Sequence, residues 1–180
     1  MTEYLTIAEL GNPILRQPAN MIDEMPPKRL QKLIDSLLIT MKKYQGVGIA
    51  APQVEEPYRL FIVASHPNQR YPSAPIMFPT PMLNPHLLNQ SEEKIKDWEG
   101  CLSIPGLRGL VPRAETIEVE YLDRQGVVNR QIFTGFIARV IQHELDHLDG
   151  KLFIDRIETT QDLYTETEYQ KIIEQNRKNQ

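Results

Sequence analysis

Leu30, Leu33, Ile34, Leu37, Leu38, Met41 and Tyr44 recur at three- and four-residue steps, which puts them on one face of a helix. Pro26-Pro27 opens that helix, since proline is tolerated in a first turn, and Gly46 stops it. Residues 58–64 form a short apolar run and predict a buried strand. Residues 116–122 alternate: Ile117, Val119 and Tyr121 fall on one face, Glu118 and Glu120 on the other. Asp123-Arg124-Gln125-Gly126 has turn chemistry, so residues 127–133 form the return strand of a hairpin. The helical step returns with Phe136, Ile137, Val140, Ile141, Leu145 and Leu148, and Asp149-Gly150 ends it. Residues 165–179 predict a third, more polar helix in a polar tail that starts near residue 160. Prolines at 67, 72, 75, 79, 81 and 85 exclude a helix and a regular central strand. An ordered surface loop is expected there, with a short strand near Met82 and Leu83.

Helices and antiparallel strands are interspersed without regular βαβ alternation, so the class is α+β. The length of 180 residues favours a single domain over 1–180, large enough to bury a core unaided. Twenty Lys plus Arg against twenty-four Asp plus Glu give a net charge of -4. That mild acidity argues against wholesale or sequence-specific nucleic-acid binding. No apolar run approaches the roughly 18 residues that span a bilayer, so no membrane partner is expected. The opening Met1-Thr2-Glu3-Tyr4 resembles neither a secretory signal nor an Arg-rich transit segment. The single cysteine, Cys101, excludes an internal disulfide and fits a reducing, cytoplasmic compartment.

The sharpest chemistry is His143-Glu144-Leu145-Asp146-His147, inside the second predicted helix. Positions four apart share a helix face, so His143 and His147 can hold one metal ion. Glu144, beside the first ligand, can reach a water molecule there and act as a general base. A hydrolytic site of this kind has three protein ligands and one open position. The third ligand could be Glu166 or Glu168 downstream, or Cys101 upstream, since a thiolate suits zinc and ferrous iron. Residues 46–53 are small and turn-prone but lack the third glycine of a dinucleotide fingerprint. Gln53 at their end offers an amide donor suited to a developing oxyanion.

Taken in order, Gly46-Val47-Gly48-Ile49-Ala50-Ala51-Pro52-Gln53, Glu99-Gly100-Cys101-Leu102-Ser103 and His143-Glu144-Leu145-Asp146-His147 resemble the three motifs of the peptide deformylases. Gly11-Asn12-Pro13-Ile14-Leu15-Arg16 resembles that family's N-terminal segment, so the likeness covers residues 5–160. It implies antiparallel strands packed around a central metal-bearing HExxH helix. It also implies hydrolysis of the N-formyl group from formyl-methionyl polypeptides, releasing formate. Cys101, His143 and His147 would hold one divalent ion, natively Fe²⁺, with Zn²⁺, Ni²⁺ or Co²⁺ as substitutes. Glu144 would be the base, and Gln53 with the Leu102 backbone N–H would hold the oxyanion. Val47, Gly48 and Gly100 would contact the peptide backbone, and Ile141 would wall the methionine pocket. Asp146 and Arg113 would pair to steady the ligands. A bacterial cytoplasmic enzyme, with ribosome contact through the C-terminal tail, completes the picture. The rivals are a HExxH metallopeptidase with a downstream ligand, a catalytically inactive ribosome-binding homologue, and a deformylase acting on another formylated amine.

Overall fold

The computed structural model describes residues 4–23, 27–67 and 73–178, without the side chains of 177 and 178. Pro26, Pro72 and the first three residues, all used in the sequence reading, lie outside it. Helix α1 spans Pro27–Lys43 and buries Leu33, Ile34, Leu37 and Met41. These pack with Ile49, Leu60 and Ile62 from strands β1 (Gly48–Ala50) and β2 (Leu60–Ser65). Tyr44 falls past the helix end and is half exposed. The chain continues through β3 (Met77–Gln90), β4 (Lys94–Cys101), β5 (Ile104–Ala114), β6 (Thr116–Leu122) and β7 (Val128–Thr134). Helix α2 (Gly135–Leu148), the short β8 (Leu163–Thr165) and helix α3 (Glu166–Lys178) complete it.

The strands form two antiparallel sheets, β1-β2-β3-β6-β7 and β4-β5-β8. The expected α+β class with antiparallel strands therefore holds. Helix α2 packs on β1, β2 and β7 of the first sheet and on β5 of the second. Its Ala138, Ile141, Leu145 and Leu148 share a core with Ile117, Val119 and Tyr121 of β6. Fully burying an aliphatic side chain of this size contributes about 1.5–3 kcal/mol, so this contact anchors the helix. The β6–β7 hairpin turns as its sequence predicts: Asp123 Oδ1 accepts from the N–H groups of Gln125 and Val127, each at 2.9 Å. β1 and β4 are edge strands of their sheets, and both end close to α2.

The proline-rich stretch corrects the sequence reading. Residues 73–76 are irregular as expected, but from Met77 the stretch is a fourteen-residue strand, β3, the third of five in its sheet, and not a loop with a short strand. Over 77–82 it pairs with β2 alone, and its pairing with β6 begins at Leu83. A strand open on one side tolerates missing N–H donors there. Pro79 and Pro81, two residues apart, direct theirs to a single side. Pro85 sits in the register shift between Leu83 and His86.

Candidate active site

Two faces of α2 do different work. The face carrying Ala138, Ile141, Leu145 and Leu148 enters the core. The face carrying Phe136, Arg139, Val140 and His143, related by three- and four-residue steps, lines a cleft open to solvent. The end of β4 supplies the opposite wall with Trp98, Gly100 and Cys101. Val47 and Gly48 of the β1 segment supply a third side.

Cys101 Sγ lies 3.2 Å from His147 Nε2. The ligating atoms of Cys101, His143 and His147 all fall within 4.8 Å of one another. The structure thus brings Cys101 to the histidine pair. Glu166 instead pairs with Arg108 at 2.6 Å and Glu168 with Lys171 at 2.7 Å. A soft sulfur with two imidazoles is a donor set for zinc or ferrous iron. A second observation fits a metal here. Among the described residues, Glu144 Oε2 beside these donors is buried without a hydrogen-bond partner, which is rare in a folded interior.

Burial pushes the Glu144 carboxyl up to about 7, in the range where a general base works near neutral pH. Burial, with the charge of neighbouring His143, holds His147 well below its usual value, so it keeps a lone pair to donate. His143 goes the other way: burial opposes its charged form, but Cys101 and Glu99 more than offset this. A metal cation would satisfy Cys101 in place of that proton, while Glu99 keeps its contact with His143 Nδ1.

Glu99 organises the cluster from behind. Its carboxylate accepts from both Arg113 Nε at 2.8 Å and Nη2 at 3.0 Å, and from Arg139 Nη1 at 2.9 Å. It also lies 2.9 Å from His143 Nδ1, which leaves Nε2 free to face a metal. Burial would raise the Glu99 carboxyl, yet Arg113 and His143 hold it well below the usual carboxylate range. Arg113 also donates to Asp146 at 2.6 Å. The expected Asp146–Arg113 pair is present, as one half of a bridge from Asp146 to Glu99.

Gln53 is buried at the end of the β1 segment. Its Oε1 accepts from the Ala50 N–H at 2.9 Å, which fixes the amide so that Nε2 faces Ser103 Oγ (3.2 Å) and Cys101 Sγ (3.5 Å). Gly48 is needed for close approach: a Cβ there would lie 2.2 Å from Glu144 Oε1 and 2.8 Å from its Cδ. Even alanine at 48 would displace that carboxylate. Val47, Gly48, Gly100 and Leu102 all line the cleft. Ile141 does not: it is fully buried in the core, one residue off the cleft-facing stripe that carries Phe136 and Val140. Sequence reasoning assigned no role to Arg139, Trp98 or the Glu99 carboxylate. The step of four from Arg139 to His143 was the available signal, since it puts both on one face.

A family model described as polypeptide deformylase matches residues 4–162. The chain belongs to the polypeptide deformylase family. Its activity is that of the family, a hydrolase of protein biosynthesis that removes the N-formyl group from newly made polypeptides. Peptide deformylase 2 of a Nostoc species is 55% identical over 176 residues, 98% of each chain. Peptide deformylase 1 of Prochlorococcus marinus is 44% identical over 152 residues, 84% of this chain and 79% of the relative. Among solved structures, the Met-Ala-Ser-bound class I type b peptide deformylase of Acinetobacter baumannii is 46% identical, with a TM-score of 0.85. That likeness covers 87% of this chain and all of the other. The deformylase fold, mixed helix with antiparallel sheets, is therefore shared. Among the described residues no helix is long and apolar enough to cross a membrane.

Proposed function

We propose that this deformylase acts on formyl-methionyl peptides with one divalent metal ion held by Cys101, His143 and His147, and with Glu144 as general base. The observation that carries this reading is the convergence of those three donors within 4.8 Å beside an unpartnered buried carboxylate. An ion held there, natively Fe²⁺ with Zn²⁺, Ni²⁺ or Co²⁺ able to replace it, supplies Lewis-acid chemistry that acidifies water and polarises a carbonyl. Glu144 takes the proton of the attacking water and hands it to the departing amine nitrogen, so the C–N bond of the formamide breaks to formate and a free amine. The amide Nε2 of Gln53 and the backbone N–H of Leu102 donate to the oxyanion.

The peptide enters as an extended strand between two sheet edges, β1 and β4, an arrangement that supplies backbone hydrogen bonds without demanding a sequence. Val47 and Gly48 contact it from one edge and Gly100 from the other. The methionine side chain takes the apolar wall formed by Val47, Trp98, Phe136 and Val140, in place of Ile141. In this reading α2 is the central metal-bearing helix of one catalytic domain, residues 1–180, working in the bacterial cytoplasm. Ribosome contact through the tail would use α3, where Lys171 already pairs with Glu168 at 2.7 Å.

Metal content separates this reading from a metallopeptidase with a downstream ligand. Cys101→Ser should lose the bound ion while the wild type, loaded anaerobically, keeps one per chain by elemental analysis. A Cys101→Ser protein that retains a full equivalent would move the third ligand to Glu166 or Glu168.

A further inference from the structure

Helix α3 starts four residues beyond the segment matched by the family model, yet it reaches the cleft wall. Arg108 of β5 is buried, and its guanidinium lies against Gly100: a Cβ on Gly100 would sit 2.1 Å from Arg108 Nη1. From the other side Glu166 of α3 accepts from Arg108 Nε at 2.6 Å, and the Tyr169 ring lies 5.3 Å from the guanidinium carbon. Tyr169 also meets Trp98 edge-on, with ring centroids 4.9 Å apart. Tyr164 of β8 meets Trp98 at the same distance. Trp98 and Gly100 are two of the cleft-lining residues of β4. β4 is an edge strand, and its register with β5 shifts between Glu99 and Cys101. At that shift the ladder leaves Gly100 without regular pairing, and the Arg108 guanidinium fills the space behind it.

We propose that α3 is a positioning element of the substrate cleft: through Glu166 and Tyr169 it fixes Arg108 behind Gly100 and Trp98 in the wall, and so sets the affinity for the peptide. Neither residue touches the reacting atoms. The aromatic edge contact restricts Trp98 to one rotamer, and the charge-assisted bond restricts Arg108. Loss of either loosens the β4 edge against which the peptide lies. The inference rests on reading the cleft as the peptide site.

Trp98 is the one tryptophan of the chain, so its fluorescence reports this wall directly. The test titrates Trp98 emission of the metal-loaded full chain with the tripeptide Met-Ala-Ser, and measures kcat and KM for its formylated form. Tyr169→Ala and Glu166→Gln should weaken tripeptide binding and raise KM by about fivefold to tenfold, with a smaller change in kcat. Tyr169→Phe, which keeps the ring, should restore wild-type binding. Unchanged binding and KM in both loosening variants would overturn the inference. So would an equal fall in kcat and metal content in Tyr169→Ala and Tyr169→Phe, because that is general damage rather than positioning. A wild type that neither binds the tripeptide nor releases formate would overturn the reading of the cleft, and this inference with it.

Discussion

Replacing Glu144 with alanine should lower kcat for formyl-Met-Ala-Ser by about 10²–10⁴-fold while the ion stays bound, because the variant loses its proton acceptor and donor but none of its ligands. The position is specific in three ways. The carboxylate is buried, one of its oxygens has no partner among the described residues, and Gly48 leaves room only for that carboxylate. Stability should move the other way or not at all. A buried carboxyl that burial pushes up to about 7 gains little from its surroundings. Removing it strands no partner, so the metal-free variant should melt at or above the wild-type temperature. Calorimetry beside steady-state kinetics checks both halves. A variant that keeps wild-type kcat, or that loses both fold and metal, contradicts the role.

Arg113→Ala should do the reverse, with its largest effect on stability. Arg113 holds two buried carboxylates, Glu99 and Asp146, and each of the three side chains is about 95% buried. Removing the guanidinium leaves Glu99 to Arg139 and His143, and Asp146 to Arg156. Breaking a buried pair from one side costs about 3–5 kcal/mol, which lowers the melting temperature by roughly 10 °C in a domain of this size. Because Glu99 orients His143, metal affinity should also fall by about 10–100-fold. Thermal unfolding and a competitive chelator titration measure the two effects. An unchanged melting temperature with unchanged metal affinity would reduce Arg113 to a bystander.

The histidines proposed to carry the chemistry are legible because their spacing is short and regular. His143 and His147 are one helical turn apart, and the helix around them has an unbroken apolar stripe. Helices α1 and α3 and the β6–β7 hairpin followed for the same reason, since each repeats its pattern over two or more turns or pairs. β3 was not legible, because its prolines are tolerated only through pairing on one side at a time, a fact of the sheet and not of the strand. β4 went unnamed because charged residues dominate it and its apolar positions do not alternate, and β5 because glycine and proline interrupt it and its buried positions do not alternate. Arg139 shows the same limit inside the site. On a helix it reads as a surface charge, yet it is buried and donates to the carbonyls of Ile95, Asp97 and Val111. Ile141 shows the converse: one position off the stripe it lies wholly in the core, whereas Val140, also buried in that core, is the one that reaches the cleft.

Formate release tests the central claim most directly. The chain, loaded anaerobically with Fe(II) or Ni(II), is given formyl-Met-Ala-Ser, with Glu144→Ala beside it. The account predicts rapid stoichiometric formate and free Met-Ala-Ser from the wild type, and almost none from a variant that still holds its metal. A wild type that carries one metal per chain and releases no formate would contradict it.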